Sequence, residues 1–93
     1  MSIDATMWAW AQKVSSEEKL VLLAMTKGGD EDHNVEGDIH RWSRETGLVE
    51  IRVHEAIQKL ISRKKLDRVV TELGIPGYHF VGCIGYDAWR QAS

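Results

Sequence analysis

Residues 42–48, with the sequence WSRETGL, constrain the fold of this chain more than any other segment. A helical pattern over about residues 38–46 ends at Gly47, because glycine tolerates the left-handed backbone of a tight turn. Ser43 is small enough to let a following helix approach closely, and Leu48 provides an apolar side chain directly after the turn. The segment therefore predicts two short helices joined by a tight turn.

The second of these helices is predicted over about residues 50–63 by an apolar stripe at helical spacing. The stripe consists of Val53, Ala56, Ile57, Leu60 and Ile61. The period then changes, because two strand-like stretches flank the GIPG turn at residues 74–77, which predicts a two-stranded hairpin over about residues 66–81. A helix-turn-helix over about residues 38–63 followed by a hairpin is the order of the winged helix-turn-helix fold. We therefore expect one α+β domain over residues 1–93, mostly α, with three core helices and a two-stranded wing.

Two more helices are predicted in the N-terminal part. A short helix over residues 4–12 would place Trp8 and Trp10 on different faces, and we expect these tryptophans to cover the core. Ser15 and Glu18 have the spacing of a capping box, which predicts the start of the next helix. The predicted inner face of this helix consists of Leu20, Leu22, Leu23 and Met25, with Val21 alongside.

Two stretches lack a clear periodic pattern. Residues 30–38 are polar and acidic without an apolar period, so they are predicted to form a loop. Residues 86–89, with the sequence YDAW, are predicted to begin a short terminal helix.

Charge is distributed unevenly along the chain, although its total is only −2. Residues 1–40 carry a net charge of −5, residues 41–68 a net charge of +4 and residues 69–93 a net charge of −1. A local basic region sets the field that an anionic partner meets. Because this region coincides with the predicted helix-turn-helix, the pattern favours double-stranded DNA as a partner.

Four pieces of the chain carry a resemblance to a known family. They are ATMWAW at residues 5–10, EKLVLLAM at 18–25, ETGL at 45–48 and AIQKL at 56–60. Residues 3–66 thereby resemble the helix-turn-helix domain at the N-terminus of phage and plasmid replication proteins. The resemblance implies sequence-specific DNA binding by the helix predicted over residues 50–63, with the wing touching the DNA backbone or minor groove. Our first hypothesis is therefore a small DNA-binding repressor or replication accessory protein of a phage or mobile element.

The side chains expected to contact DNA lie on both helices of the motif and at the start of the wing. On the helix predicted over residues 50–63, Arg52 and Gln58 are expected at base edges and Lys59 at a phosphate, with His54 beside them. The remaining candidates for phosphate contacts are Arg41, Arg44, Arg63, Lys64, Lys65 and Arg68.

The start of this predicted recognition helix departs from the family pattern. Related domains begin it with a hydroxyl residue followed by basic ones, whereas this chain has Val49, Glu50 and Ile51. An acidic group at this end opposes phosphate binding and supports an alternative, in which the same fold binds a basic host protein. Such a chain would be a phage-encoded inhibitor of a host nucleoprotein complex, similar to an anti-CRISPR protein. Its candidate contacts are Asp30, Glu31, Asp32, Glu36, Glu50 and Ile51.

Other functional classes fit the sequence less well. Asp30, Asp32 and Asn34 have the spacing that begins a calcium-binding EF-hand loop, but Val35 and Arg41 stand where glycine and glutamate are needed. The lone cysteine and the four scattered histidines lack the spacing of a zinc site. A chain of 93 residues also leaves little room for a catalytic pocket. We therefore expect no enzymatic activity, no metal and no cofactor.

The sequence also predicts a cytoplasmic location and a possible assembly. A single cysteine fits a reducing cytoplasm, no apolar run is long enough to span a membrane, and the N-terminus lacks the features of a signal peptide. Small DNA-binding domains gain site length from a second copy, so a homodimer is a further expected partner. Ile51, the N-terminal tryptophans and the tail around Trp89 are its candidate surfaces.

Overall fold

The computed structural model describes residues 3–83, which form four helices and three strands. The elements in chain order are α1 (Ile3–Ala11), α2 (Ser16–Thr26), β1 (Asn34–Glu36), α3 (Ile39–Thr46), α4 (Glu50–Ser62), β2 (Leu66–Val70) and β3 (Pro76–Phe80). The predicted α+β class and its mostly helical character are confirmed. Within the described part of the chain, no helix is long and apolar enough to cross a bilayer. The helix predicted over residues 86–89 lies outside the described residues.

The turn between α3 and α4 forms as the sequence predicts. The Asp38 side chain accepts a hydrogen bond from the backbone N–H of Arg41 at 3.1 Å and so caps the start of α3. Gly47 ends α3 with a φ of 77° in the left-handed region. The Ser43 hydroxyl donates to the carbonyl oxygen of Leu48 at 2.6 Å, which ties the end of α3 to the residue after the turn.

The sheet differs from the predicted two-stranded wing. The predicted hairpin is present as β2 and β3, but residues 34–36 form a third strand, so the antiparallel order is β1-β3-β2. The prediction of a loop over residues 30–38 was therefore wrong for β1. Only Val35 in this strand is an apolar residue, and it is buried. The strand forms because β3 offers partners about 45 residues later in the chain, as in the pairing of Asn34 with His79.

The core draws on α1 as well as on the three predicted core helices. Ala5, Trp8 and Ala9 are buried, and the Trp8 ring lies 5.7 Å from that of Phe80, measured between centroids. Trp10 is 64% exposed, so the two tryptophans do lie on different faces. Only Trp8 covers the core, and its burial removes it from the candidate surfaces for a homodimer.

The capping box at the start of α2 is confirmed, whereas its predicted inner face needs one correction. Ser15 accepts from the backbone N–H of Glu18, and the Glu18 carboxylate accepts from the backbone N–H of Ser15. Val21 is fully buried, but Leu20, which we placed on the inner face, is 45% exposed. α2 is held by α1 on one side and by α3 and α4 on others, so its buried surface is wider than a single stripe.

Lys19 closes the C-terminal end of α1. Its ammonium group donates to the carbonyl oxygens of Ala9 at 3.1 Å, Trp10 at 2.6 Å and Gln12. It also lies 6.0 Å from the centroid of the Trp10 ring. A cation at this end satisfies carbonyl groups that have no partner within the helix and interacts favourably with the helix dipole.

Replacing Lys19 with methionine should therefore lower the free energy of unfolding by about 1–2 kcal/mol, because the terminal carbonyls lose a charged donor. Lys13→Met is the matched control, since Lys13 is exposed and has no hydrogen bond among the described residues. Urea denaturation followed by far-UV circular dichroism would measure both variants. Equal stability of the two would contradict a capping role for Lys19.

Candidate nucleic-acid interface

The exposed face of α4 carries the predicted recognition residues. Val53, Ala56, Ile57 and Leu60 are buried in the core as predicted, while Ile61 is half-buried. On the other side of the helix, Arg52, His54 and Lys59 are exposed and Gln58 is half-buried. All four of the expected contact residues therefore lie on α4 outside its buried stripe, and three of them have exposed side chains.

Arg52 is engaged by carboxylates of the same chain. Its Nη2 donates to Glu17 Oε1 at 2.8 Å, and its Nη1 lies 3.9 Å from Glu55 Oε2. The hydrogen bond to Glu17, together with the charges of Glu17 and Glu55, raises the pKa of Arg52 above its ordinary value. The side chain expected at a base edge is thus held against α2 in this structure. Sequence reasoning missed Glu17 as its partner because 35 residues separate the two.

The N-terminal end of α4 is apolar and acidic. Val49 stands at the N-cap position without a side-chain hydrogen bond, and it is 64% exposed. Ile51 is 67% exposed. Between them, Glu50 Oε2 lies 3.6 Å from His40 Nδ1 of α3. The N-cap and the first two residues of α4 therefore offer no positively charged side chain to a phosphate, and Arg52 is the first cation of the helix.

On α3 the two predicted phosphate contacts differ. Arg41 Nε donates to Glu45 Oε1 at 2.8 Å, one helical turn away. This hydrogen bond, aided by the charge of Lys27 with its Nζ 3.7 Å from Glu45 Oε2, lowers the pKa of Glu45 from its ordinary value. Arg44 is exposed, and none of the described carboxylates lies within ion-pair distance of it. Arg44 is consequently the better placed of the two to receive an external anion.

The basic run after α4 begins with a residue that has a structural role. Arg63 Nε lies 3.6 Å from Oε2 of Glu18, a carboxylate that is only 2% exposed. Since a buried charge is costly without a partner, Arg63 serves the fold as the counterion of Glu18. The three basic residues that follow, Lys64, Lys65 and Arg68, have no carboxylate within ion-pair distance in the described part of the chain.

Lys64 holds an unusual backbone conformation. Its φ of 60° lies in the left-handed region, where a lysine costs about 1 kcal/mol more than a glycine. The N–H of Lys64 bonds to the carbonyl of Ile61 at 3.0 Å and that of Lys65 to the carbonyl of Leu60 at 2.9 Å, so α4 ends in a Schellman motif. Glycine is the residue that usually occupies this position, and here a cation stands in its place.

The acidic residues proposed for protein binding lie on and before β1 and at the start of α4. Asp30 Oδ1 accepts from the backbone N–H groups of Asp32 at 2.9 Å and Asn34 at 3.0 Å, which fixes the turn before β1. Glu31 and Glu36 are exposed. The structure thus brings Asp30, Glu31, Asp32 and Glu36 together, whereas Glu50 and Ile51 belong to a different element. No group of three metal-binding side chains lies close enough to hold an ion among residues whose positions are described.

No family model, curated protein or solved structure matches the chain with statistical significance.

Proposed function

We propose that this chain is a winged helix-turn-helix protein that binds double-stranded DNA, acting as a small repressor or replication accessory factor of a phage or mobile element. Three features support it. α3 and α4 are joined by a tight glycine turn, α4 turns a polar face outward, and an antiparallel hairpin follows directly. This is the order of elements in winged helix-turn-helix domains, in which the second helix of the motif enters the major groove.

The observation that carries the proposal is a set of cations that the fold does not use. Arg41, Arg52 and Arg63 are bound to carboxylates of the chain. Five others of the predicted DNA contacts have no carboxylate partner among the described residues, although carboxylates outnumber cations in the whole sequence: Arg44, Lys59, Lys64, Lys65 and Arg68. These five lie on α3, on α4, directly after α4 and on β2. They are the groups we assign to phosphates, because phosphate contacts supply most of the affinity of such complexes.

Base contacts then fall to the exposed face of α4. His54 and Gln58 are available there, whereas Arg52 must first leave Glu17. We therefore assign Arg52 a base contact that forms only after its ion pair with Glu17 opens. Both side chains of this ion pair are exposed to solvent, so water and salt weaken the interaction and little energy is needed to open it.

Removing the carboxylate should make that opening unnecessary. We expect Glu17→Gln to raise affinity for double-stranded DNA about two- to fivefold at low salt. The reason is that Arg52 no longer has to break its ion pair with residue 17 before it contacts DNA. Glu31→Gln removes the same charge from an exposed residue without a described ion pair and is the matched control. Fluorescence anisotropy with labelled duplex DNA would compare the two. If both variants gain equally, net charge rather than release of Arg52 explains the change.

The first test of DNA binding itself is a salt series. Affinity for random and genomic duplex DNA would be measured by fluorescence anisotropy at several sodium chloride concentrations. Five phosphate contacts predict that the logarithm of the binding constant falls with the logarithm of salt concentration with a slope of about −4 to −5. Lack of binding at the lowest salt concentration would overturn the proposal.

A further inference from the structure

A groove lies between the segment around β1 and the turn that joins β2 to β3. It has a volume of about 500 Å³. One side is formed by residues before and within β1, the other by the hairpin turn at residues 71–73 and the end of β2. Its charged lining residues are Asp30, Asp32, Glu36 and Glu72, and its apolar ones are Val69, Val70 and Leu73. None of them belongs to the cations that we assign to DNA phosphates.

The charge of this groove is negative and uncompensated within the described chain. Four exposed carboxylates line it, and no described lysine, arginine or histidine lies within ion-pair distance of any of them. Carboxylates gathered in a concave surface focus a negative potential, which attracts cations and repels phosphates. Nucleic acid is therefore excluded as an occupant of this groove.

The apolar part of the groove is as unusual as its charge. Leu73 is 86% exposed and Val70 is 69% exposed, the two highest values among the large hydrophobic side chains that the structure describes. Neither contributes much to the core, so the fold gives no reason for an apolar side chain at these positions. An exposed leucine and valine beside a concave surface provide the apolar contact that a protein partner buries on binding.

A lone metal cation does not fit this combination, because it makes no use of the apolar side chains. The described carboxylates also include no group of three that could hold such an ion. A polypeptide that carries lysine or arginine next to an apolar side chain uses both parts of the groove.

We propose that this groove docks a basic segment of a partner protein, with its cations at the carboxylates and an apolar side chain against Val70 and Leu73. The inference does not depend on DNA binding, since the two surfaces share no residue. Together they would let one chain hold DNA and a basic protein at the same time. It also gives the protein-binding alternative a defined surface, formed by the β1 region and the hairpin turn rather than by Glu50 and Ile51.

Selection from a displayed library of random short peptides tests the proposal without a known partner. The purified full chain would serve as bait, and the triple variant Asp32→Asn, Glu36→Gln, Leu73→Ser would serve for counter-selection. The control bait is the double variant Asp67→Asn, Leu20→Ser, which removes one carboxylate and one leucine that are exposed and lie outside the groove. Circular dichroism and thermal melting would establish that all baits are folded.

We expect the selected peptides to combine lysine or arginine with leucine, isoleucine or an aromatic residue. Synthesised peptides should bind the triple variant at least about tenfold more weakly than the wild type, a difference typical of losing central contacts, and bind the control variant as the wild type. Restoring leucine at position 73 alone should recover part of the affinity. The proposal is overturned if no peptide distinguishes the wild type from the triple variant. It is equally overturned if polylysine without apolar residues binds as tightly as the selected peptides.

Discussion

Replacing Gly77 with alanine is expected to remove about 3 kcal/mol or more from the free energy of unfolding. Gly77 lies in β3, the middle strand of the sheet, opposite Glu36 of β1. A Cβ atom there would lie 2.4 Å from the carbonyl oxygen of Val35 and 3.2 Å from its carbonyl carbon. Both atoms belong to the backbone, so no side-chain rotation relieves the overlap and β1 must move away from β3.

The effect should be measured by urea denaturation of the wild type and Gly77→Ala. Gly74→Ala is the matched control, because Gly74 has a φ of 80° but nothing lies within 4 Å of an added Cβ. Gly74→Ala should lower the free energy of unfolding by only about 1 kcal/mol, because alanine is strained in the left-handed conformation. The clash predicts a clearly larger loss for Gly77→Ala, and losses of similar size in the two variants would contradict it.

Displacement of β1 should also have a functional consequence. Asn34 and Glu36 of β1 line the groove that we assign to a basic protein segment. Any folded fraction of Gly77→Ala should therefore lose peptide binding, while the cations assigned to DNA on α3 and α4 stay in place. Gly77 thus links the stability of the sheet to one of the two proposed surfaces and not to the other.

The parts of the fold that local chemistry determines could be predicted from the sequence. The capping box of Ser15 and Glu18 and the left-handed turn at Gly47 are examples, because each depends on residues within a few positions of one another. The buried stripe of α4 could be predicted equally well from the sequence, since its apolar residues recur at helical spacing.

Features that depend on distant residues could not be predicted in this way. β1 has a single apolar residue and forms only because β3 pairs with it. The candidate site shows the same limit, because nothing in the sequence distinguishes Arg52 and Arg63 from the other basic residues. Their ion-pair partners, Glu17 and Glu18, lie in α2, and only the folded structure brings them into contact. The folded structure therefore divides the basic residues of the predicted site into those that form ion pairs within the chain and those that are available to a ligand.

That division predicts which basic residues matter most for DNA. We expect the double variant Lys59→Glu, Lys64→Glu to bind duplex DNA at least about a hundredfold more weakly than the wild type near 0.1 M salt, because two attractive phosphate contacts become repulsive. Neither lysine has a described carboxylate partner, and both are exposed. Lys13→Glu is the control, because it reverses the charge of an exposed residue between α1 and α2, and it should reduce affinity for DNA far less.

Lys64→Gly separates the loss of a phosphate contact from a loss of folding. Glycine suits the left-handed conformation of residue 64, so the free energy of unfolding should rise by about 0.5–1 kcal/mol. Affinity for DNA should fall, and the salt slope should shrink by about one, because one phosphate contact is removed. Opposite changes in stability and affinity would show that a strained cation is kept at this position for binding. If Lys64→Gly gains stability and binds DNA as tightly as the wild type, residue 64 makes no phosphate contact, and the DNA surface must be redrawn without the end of α4.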